Sequence, residues 1–396
     1  MKIKTNPILH VVALILCTTV YSCHTQEKGG LVCIDAAQAY PEKEIVLSDI
    51  ADVAYLCVKS DNDEYLFKGR PVSFGKNTVV VLDNSSGSLL FFTKDGNPKS
   101  RFNHKGIGPE DYINVNQVVY DEEKDEIFVV YRNVIQIYSS TGKHKRKITL
   151  PAGVVVSPVI SFDDESLFLY DASVQLPADA KNHTDAETSF ASPFVRISKT
   201  DGKVLDCVEL PTAGIELGIY RDMNGTRMLV RGLTHRVIKC DEGALLCNPE
   251  TDTVFLYGKD GRLNPVMCKT PAVGASDPMV YLNNCVDAGR YRFMEVYTIR
   301  FEEDALPYPA TFLMHDKETG ELFRQKITLP DYMGKRFYIS PRQSGRDYEN
   351  GAFFELDLIE LKQAYKENKL SGKLKELTAS LDEDKDNNIF LLFKFK

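Results

Sequence analysis

Five glycine turns constrain this chain more than any other feature. Gly96, Gly142, Gly202, Gly261 and Gly320 follow one another at separations of 46, 60, 59 and 59 residues. Each closes a related phrase: "LLFFTKDGNPK", "QIYSSTGKHK", "VRISKTDGKV", "VFLYGKDGRL" and "LMHDKETGEL". An apolar run meets a polar Asp-Gly or Thr-Gly turn, and a further run follows. The apolar runs are rich in β-branched and aromatic residues, as strands are. Glycine suits the turns because it adopts positive φ without steric cost. Long-period self-similarity of this kind marks a repeat architecture.

Each unit reads as several antiparallel strands with neither flat face buried until a neighbour stacks on it. A period near 60 residues in a 396-residue chain gives about six such units. The expected fold is all-β, a six-bladed β-propeller of four-stranded antiparallel blades. The sixth blade has inner pieces "KRFYISP" and "GAFFELDL" and the C-terminal strand "NNIFLLFKFK". Nothing after that strand supplies its partner, so an early strand, "DVAYLCVKS" at 52–60, is expected to close the ring. Two segments break the repeat. Residues 172–192 are a polar insertion, and residues 358–381 switch to helical periodicity, with Ser371-Gly372 dividing two short helices.

The N-terminus reads as a targeting segment. Lys2 and Lys4 precede an apolar stretch over residues 8–20, too short to span a bilayer comfortably and suited to a signal peptide. Ser22-Cys23 at its end marks Cys23 for lipidation, which implies a membrane anchor and a cell-envelope location. The division expected is a lipoprotein signal at 1–22, a tether at 23–42 and the propeller at 43–396. Apart from Cys17 within the signal, seven further cysteines have irregular spacings and no C-x-x-C pair, so buried thiols are expected, with a Cys240–Cys247 bridge as the alternative. A net charge of -8 and the reading that no polybasic block is present argue against nucleic acid as a partner.

The sharpest polar feature is "GIYRDMNGTRMLVRGLTHRVIK", where Arg221, Arg227, Arg231 and Arg236 crowd together. Arginine forks bind carboxylate or phosphate groups at two points, so these four are the candidate anionic-ligand site, a sulfated or uronic-acid ligand included, set against a structural role at a blade edge. On an extended segment Arg227 and Arg231 share a face. Histidines 24, 104, 144, 183, 235 and 315 are scattered, without a metal-binding spacing. Glu216, Asp222 and Glu295 are the carboxylates nearest apolar runs. No cofactor, metal or catalytic residue is expected. Asp252-Thr253-Val254 resembles a short bacterial O-glycosylation motif.

Three stretches carry a family likeness: "IVLSDIADVAYLCVKS", "KGIGPEDYINVNQVVYDEEKDEIFVV" and "DEDKDNNIFLLFKFK". They resemble the six-bladed β-propeller lipoproteins of Bacteroidetes, related in shape to NHL-type propellers. In the second, Gly106, Gly108, Pro109 and Tyr112 match a family loop, with Glu110-Asp111 in place of Gly-Glu. Gly108 and Pro109 are read as structural turn residues. The resemblance implies the fold and the lipid anchor, and no activity. The expected function is a lipid-anchored binding module for an envelope protein or an anionic or glycan ligand. The alternative is a propeller hydrolase or lyase acting on a glycan.

Overall fold

The computed structural model describes residues 30–58, 63–175, 189–211, 219–223, 226–230, 235–299, 308–341, 345–348, 351–383 and 385–396. Within 219–230 and 345–348 only the backbone is described.

Six sheets form six blades, each with four antiparallel strands running outward from the centre. Blade 1 comprises Gly69–Phe74, Thr78–Asp83, Leu89–Thr93 and Pro98–Phe102. Blade 2 comprises Gln117–Asp121, Glu126–Tyr131, Val134–Tyr138 and His144–Thr149. Blade 3 has Val156–Ser161, Ser166–Asp171, Phe194–Ser198 and Val204–Val208. Blade 4 has Val237–Cys240, Gly243–Asn248, Thr253–Gly258 and Leu263–Thr270. Blade 5 has Val280–Ala288, Tyr291–Thr298, Ala310–Asp316 and Leu322–Leu329. Blade 6 takes Gly345–Tyr348, Gly351–Leu356 and Ile389–Phe395 from the C-terminal end, and its outer strand is Ala51–Cys57. The closure expected from the sequence is therefore formed: Ile389 to Phe395 pair antiparallel with Cys57 to Ala51. Phe390, Leu391 and Phe393 on that strand are fully buried, so sealing the ring also completes the core.

The five repeated glycines all sit between the third and fourth strands of their blades, at φ of 82°, 85°, 76°, 79° and 72°. Their second function is close packing between blades. A Cβ on Gly96 would lie 2.0 Å from the Cys57 carbonyl oxygen in blade 6. One on Gly142 would lie 2.6 Å from Phe102 Cβ in blade 1, and one on Gly202 2.3 Å from Ile148 in blade 2. Each of these three turns presses on the outer strand of the preceding blade, so a bare Cα is needed for the stack and for the turn alike.

Three expectations change. "KRFYISP" is not an inner strand of blade 6. Tyr332–Phe337 instead pairs with the outer strand of blade 5, and Ile339 is held through its N–H and C=O by the Gln325 side chain at 2.8 and 3.0 Å. The segment read as a tether is folded onto the disc from Val32 onward. Val32–Asp35 runs parallel to the outer edge of blade 4 and Glu42–Val46 parallel to that of blade 5, each becoming a fifth strand. Val32, Ile34 and Ile45 are buried there. Cys33 stands opposite Cys268 with Cα atoms 4.8 Å apart, and the two form a disulfide. Cys240 and Cys247 are buried and not bridged to each other, so the Cys240–Cys247 alternative does not hold. Cys57 and Cys285 are buried thiols as expected, and Cys207 is half-buried.

The helical insertion forms as Leu358–Lys366 and Gly372–Ser380, between the second and third strands of blade 6. Asp357 caps the first helix by accepting from the Glu360 N–H at 2.9 Å. Leu358, Leu361, Leu370 and Leu374 face the core of blades 5 and 6, while Tyr365 lies at its exposed margin.

Candidate functional site

Antiparallel order sorts the connections onto two faces. Those after the first and third strands of each blade lie on one face, and those after the second and fourth lie on the other. The first face carries short turns, such as 75–77, 94–97, 122–125, 139–143 and 241–242. The second carries every long connection: 103–116, 172–193, 209–236, 299–309 and the helical segment 357–388. Rigid scaffolds place binding residues on such loops.

The connection at 103–116 is the best-defined of them. The Gly106 N–H donates to the Tyr112 carbonyl at 3.1 Å, and the Tyr112 N–H donates to the His104 carbonyl at 3.0 Å. The Gly108 N–H donates to Asp111 Oδ2 at 2.8 Å. Gln136 Nε2 donates to the Pro109 and Asp111 carbonyls, both at 3.0 Å, and the Tyr138 hydroxyl donates to the Glu110 carbonyl. His104 stacks on Tyr138 at 4.9 Å. A Cβ on Gly108 would meet Asp111 Oδ2 at 2.9 Å. Gly108 and Pro109 thus shape a pinned turn.

The arginine segment lies on the same long-connection face, between blades 3 and 4. Its centre is a hairpin of Ile219–Met223 and Thr226–Val230, with Arg221 opposite Met228 and Asp222 opposite Arg227 in register. Arg231 and Glu216 fall outside the described residues, as does Cys23 with the rest of the N-terminal segment. Arg236 separates from the hairpin. Its guanidinium lies 5.3 Å over the Tyr170 ring of blade 3 and 3.5 Å from Asn248 Oδ1. Desolvation between the blades lowers its pKa. It reads as a wedge between blades 3 and 4 rather than a surface anion fork.

Beside this wedge is a buried polar cluster at the same end of blades 4 and 5. The His235 N–H donates to Asn283 Oδ1 at 2.9 Å, and Asn283 Nδ2 donates to Glu295 Oε1 at 3.2 Å. Asn283 and Glu295 are fully buried. Stacked rings of Tyr281 and Tyr297, 5.2 Å apart, flank them, and Tyr308 meets Tyr297 edge-on. Glu295, one of the three carboxylates nearest apolar runs, is an interior hydrogen-bond acceptor.

The opposite, short-turn face opens on the central channel through a cavity of about 420 Å³. Inner-strand residues line it, among them Ser73, Tyr120, Ser161, Lys239 and Asp287. Asp287 is saturated: Arg292 Nε donates to its Oδ2 at 2.7 Å and Lys317 Nζ to its Oδ1 at 2.8 Å. Burial, with Arg292 alongside, lowers the neighbouring His315 to a pKa of about 4. Both ring nitrogens of His315 are buried without a hydrogen-bond partner. Among the described residues, no group of three or more His, Cys, Asp or Glu side chains is arranged to hold a metal ion. Asp252, in the glycosylation-like tripeptide, is a structural residue: its carboxylate pairs with buried Lys269 at 2.7 Å, and its φ of 52° makes the turn.

The fold and its closure define the class, a six-bladed β-propeller sealed by an N-terminal strand. Comparisons agree. Residues 23–199 match the DUF5128 family, described as 6-bladed beta-propeller. A candidate exported protein from Bacteroides fragilis has a solved structure similar to this one, with a TM-score of 0.60 at 17% identity, covering 92% of this chain and 99% of that one. A member of the DUF4221 family from Bacteroides vulgatus gives a TM-score of 0.46 at 11% identity, over 88% of this chain and 97% of that one. No curated protein matches the chain.

Proposed function

We propose that this chain is a lipid-anchored β-propeller of the cell envelope that binds a ligand or protein partner on its long-connection face. The observation that carries this reading is the asymmetry of the disc. Every irregular connection, and the arginine hairpin with them, leaves from one face, while the other is built of short turns. The ligand class that fits the hairpin is an anionic glycan, sulfated or uronic, because guanidinium groups match such oxygens at two points. The Cys33–Cys268 disulfide supports an oxidising, extracytoplasmic compartment. The exported character given for the Bacteroides fragilis protein points the same way. The anchor would be an acylated Cys23.

Two measurements test the reading. Cys23→Ala is expected to move the protein from the membrane to the soluble fraction, and continued membrane association would refute the anchor. Arg227→Ala with Arg231→Ala is expected to weaken binding of a sulfated or uronic-acid oligosaccharide at least tenfold, and unchanged affinity would refute the site. The glycan hydrolase or lyase alternative needs two facing carboxylates. Glu295, one of the candidate carboxylates, is buried and hydrogen-bonded to Asn283.

A further inference from the structure

The N-terminal segment is a belt with a direction. It lies on the edge of blade 4 at Val32–Asp35, crosses outward over residues 36–41, and lies on the edge of blade 5 at Glu42–Val46. It joins blade 4 from the short-turn side, because Val32–Asp35 runs parallel to a strand that leaves the Gly261 turn. Eight residues lie between Cys23 and Val32. At about 3.3–3.6 Å per residue they reach roughly 30 Å at most, and six residues already suffice for the crossing between blades 4 and 5.

The outer edges of blades 4 and 5 are covered by the belt, whereas those of the other four blades, blade 3 among them, are uncovered. On the blade 3 edge Val204 and Leu205 are 41% and 45% exposed, immediately after the Gly202 turn and beside exposed Lys203. Exposed apolar residues on an unpaired edge strand are normally avoided. The outer strand of blade 2 carries most of the run Lys143-His144-Lys145-Arg146-Lys147, in which the three lysines are exposed. The expectation of no polybasic block is corrected here. Arg146 is tied to Glu126, and Lys145 lies 3.9 Å from the same carboxylate, while Lys143 and Lys147 are in no ion pair among the described residues. Asp201 and Glu209 are exposed acids of blade 3 beside this patch, and exposed Glu110 lies 3.5 Å from His144 of the run. A basic and apolar rim is thus set into a chain of net charge -8.

We propose that this rim, Val204 and Leu205 with Lys143, Lys145, Lys147 and Lys203, rests on an anionic bilayer surface. The proposal rests on the lipid-anchor reading: with Cys23 acylated, the eight residues before Val32 are long enough for the short-turn rim of the disc to reach the bilayer. Leucine and valine then enter the headgroup boundary, and the lysines meet lipid phosphates. The disc is held by its short-turn rim, so the long-connection face is turned away from the bilayer.

The chain contains no tryptophan, which makes a single inserted one a clean reporter. Leu205→Trp and, as the control on the helical insertion, Ile359→Trp are each made in the full acylated protein. Ile359 is 66% exposed, so both positions tolerate the ring. The proteins are reconstituted on phosphatidylglycerol vesicles with and without brominated acyl chains. Bromine is expected to quench the Leu205→Trp reporter several-fold more than the Ile359→Trp reporter. Adding Lys143→Glu, Lys145→Glu and Lys147→Glu is expected to remove most of that difference. Equal or absent quenching in protein that still sediments with vesicles would overturn the rim contact and leave the anchor intact. Failure to sediment at all would overturn the anchor reading, and this proposal with it. A concentration-dependent blue shift of the Leu205→Trp emission without quenching would assign the rim to a second copy of the chain and refute the bilayer.

Discussion

The two faces of the disc are built to different rules. On the short-turn face, the repeated glycines hold φ between 72° and 85°, and three of them fill the gap to the preceding blade so closely that no Cβ fits. These residues are fixed by backbone geometry and by blade stacking. On the opposite face, connections such as 103–116 and 299–309 share no sequence phrase with one another. The blades fix only where such loops begin and end, so their residues are available for recognition. A conserved-looking phrase in a repeat protein therefore marks architecture, and its interruptions mark candidate sites.

The contrast can be broken most severely at the closure. Removing residues 389–396 takes away the strand that joins Gly351–Leu356 to Ala51–Cys57, with its buried Phe390, Leu391 and Phe393. Loss of cooperative unfolding, followed by circular dichroism, is expected. A retained sharp transition would show that the ring is stable open.

Within the short-turn face, two glycines of similar φ differ in what a side chain would meet. Gly96→Ala places a Cβ against the Cys57 carbonyl and is expected to cost about 2–4 kcal/mol in urea unfolding. At Gly261 the nearest atom is 3.8 Å away, so Gly261→Ala bears only the positive-φ cost, about 1 kcal/mol. Equal losses would show that blade stacking plays no part in the choice of glycine.

A comparable effect is expected from pH. His315 is held neutral in the fold, with a pKa of about 4 against an ordinary 6.5. Its neighbours are Arg292 and Lys317, which disfavour its protonation, and Asp287 and Asp316, which favour it. Below pH 6.5 the unfolded chain takes up a proton that the fold refuses. Stability therefore falls as pH drops from about 6.5 to 4, by at most about 3 kcal/mol, and this contribution levels off below that. His315→Gln is expected to flatten the slope in that window. An unchanged slope would place the titration elsewhere.

Much of the architecture was legible because it is periodic. The five turns, the strand phrases, the closing strand and the two helices each leave a local pattern of apolar spacing or turn chemistry. The belt does not. Val32–Asp35 and Glu42–Val46 are too short to show alternation, and Cys33 and Cys268 lie 235 residues apart with no spacing to link them. The charge run at 143–147 was present in the sequence, but its meaning depends on the uncovered strand of blade 3 beside it. Arg236 was grouped with Arg221 and Arg227 by proximity in sequence, whereas the start of blade 4 turns it inward against Tyr170. Tertiary placement separated residues that the sequence set together.

The account rests most heavily on the claim that recognition belongs to the long-connection face. Hydrogen exchange with and without a uronic-acid oligosaccharide tests it directly. Protection is expected in peptides covering 209–236 and 299–309, with the turns at 94–97, 139–143 and 199–203 unchanged. Protection confined to those turns, or to the strands around the central cavity, would contradict it.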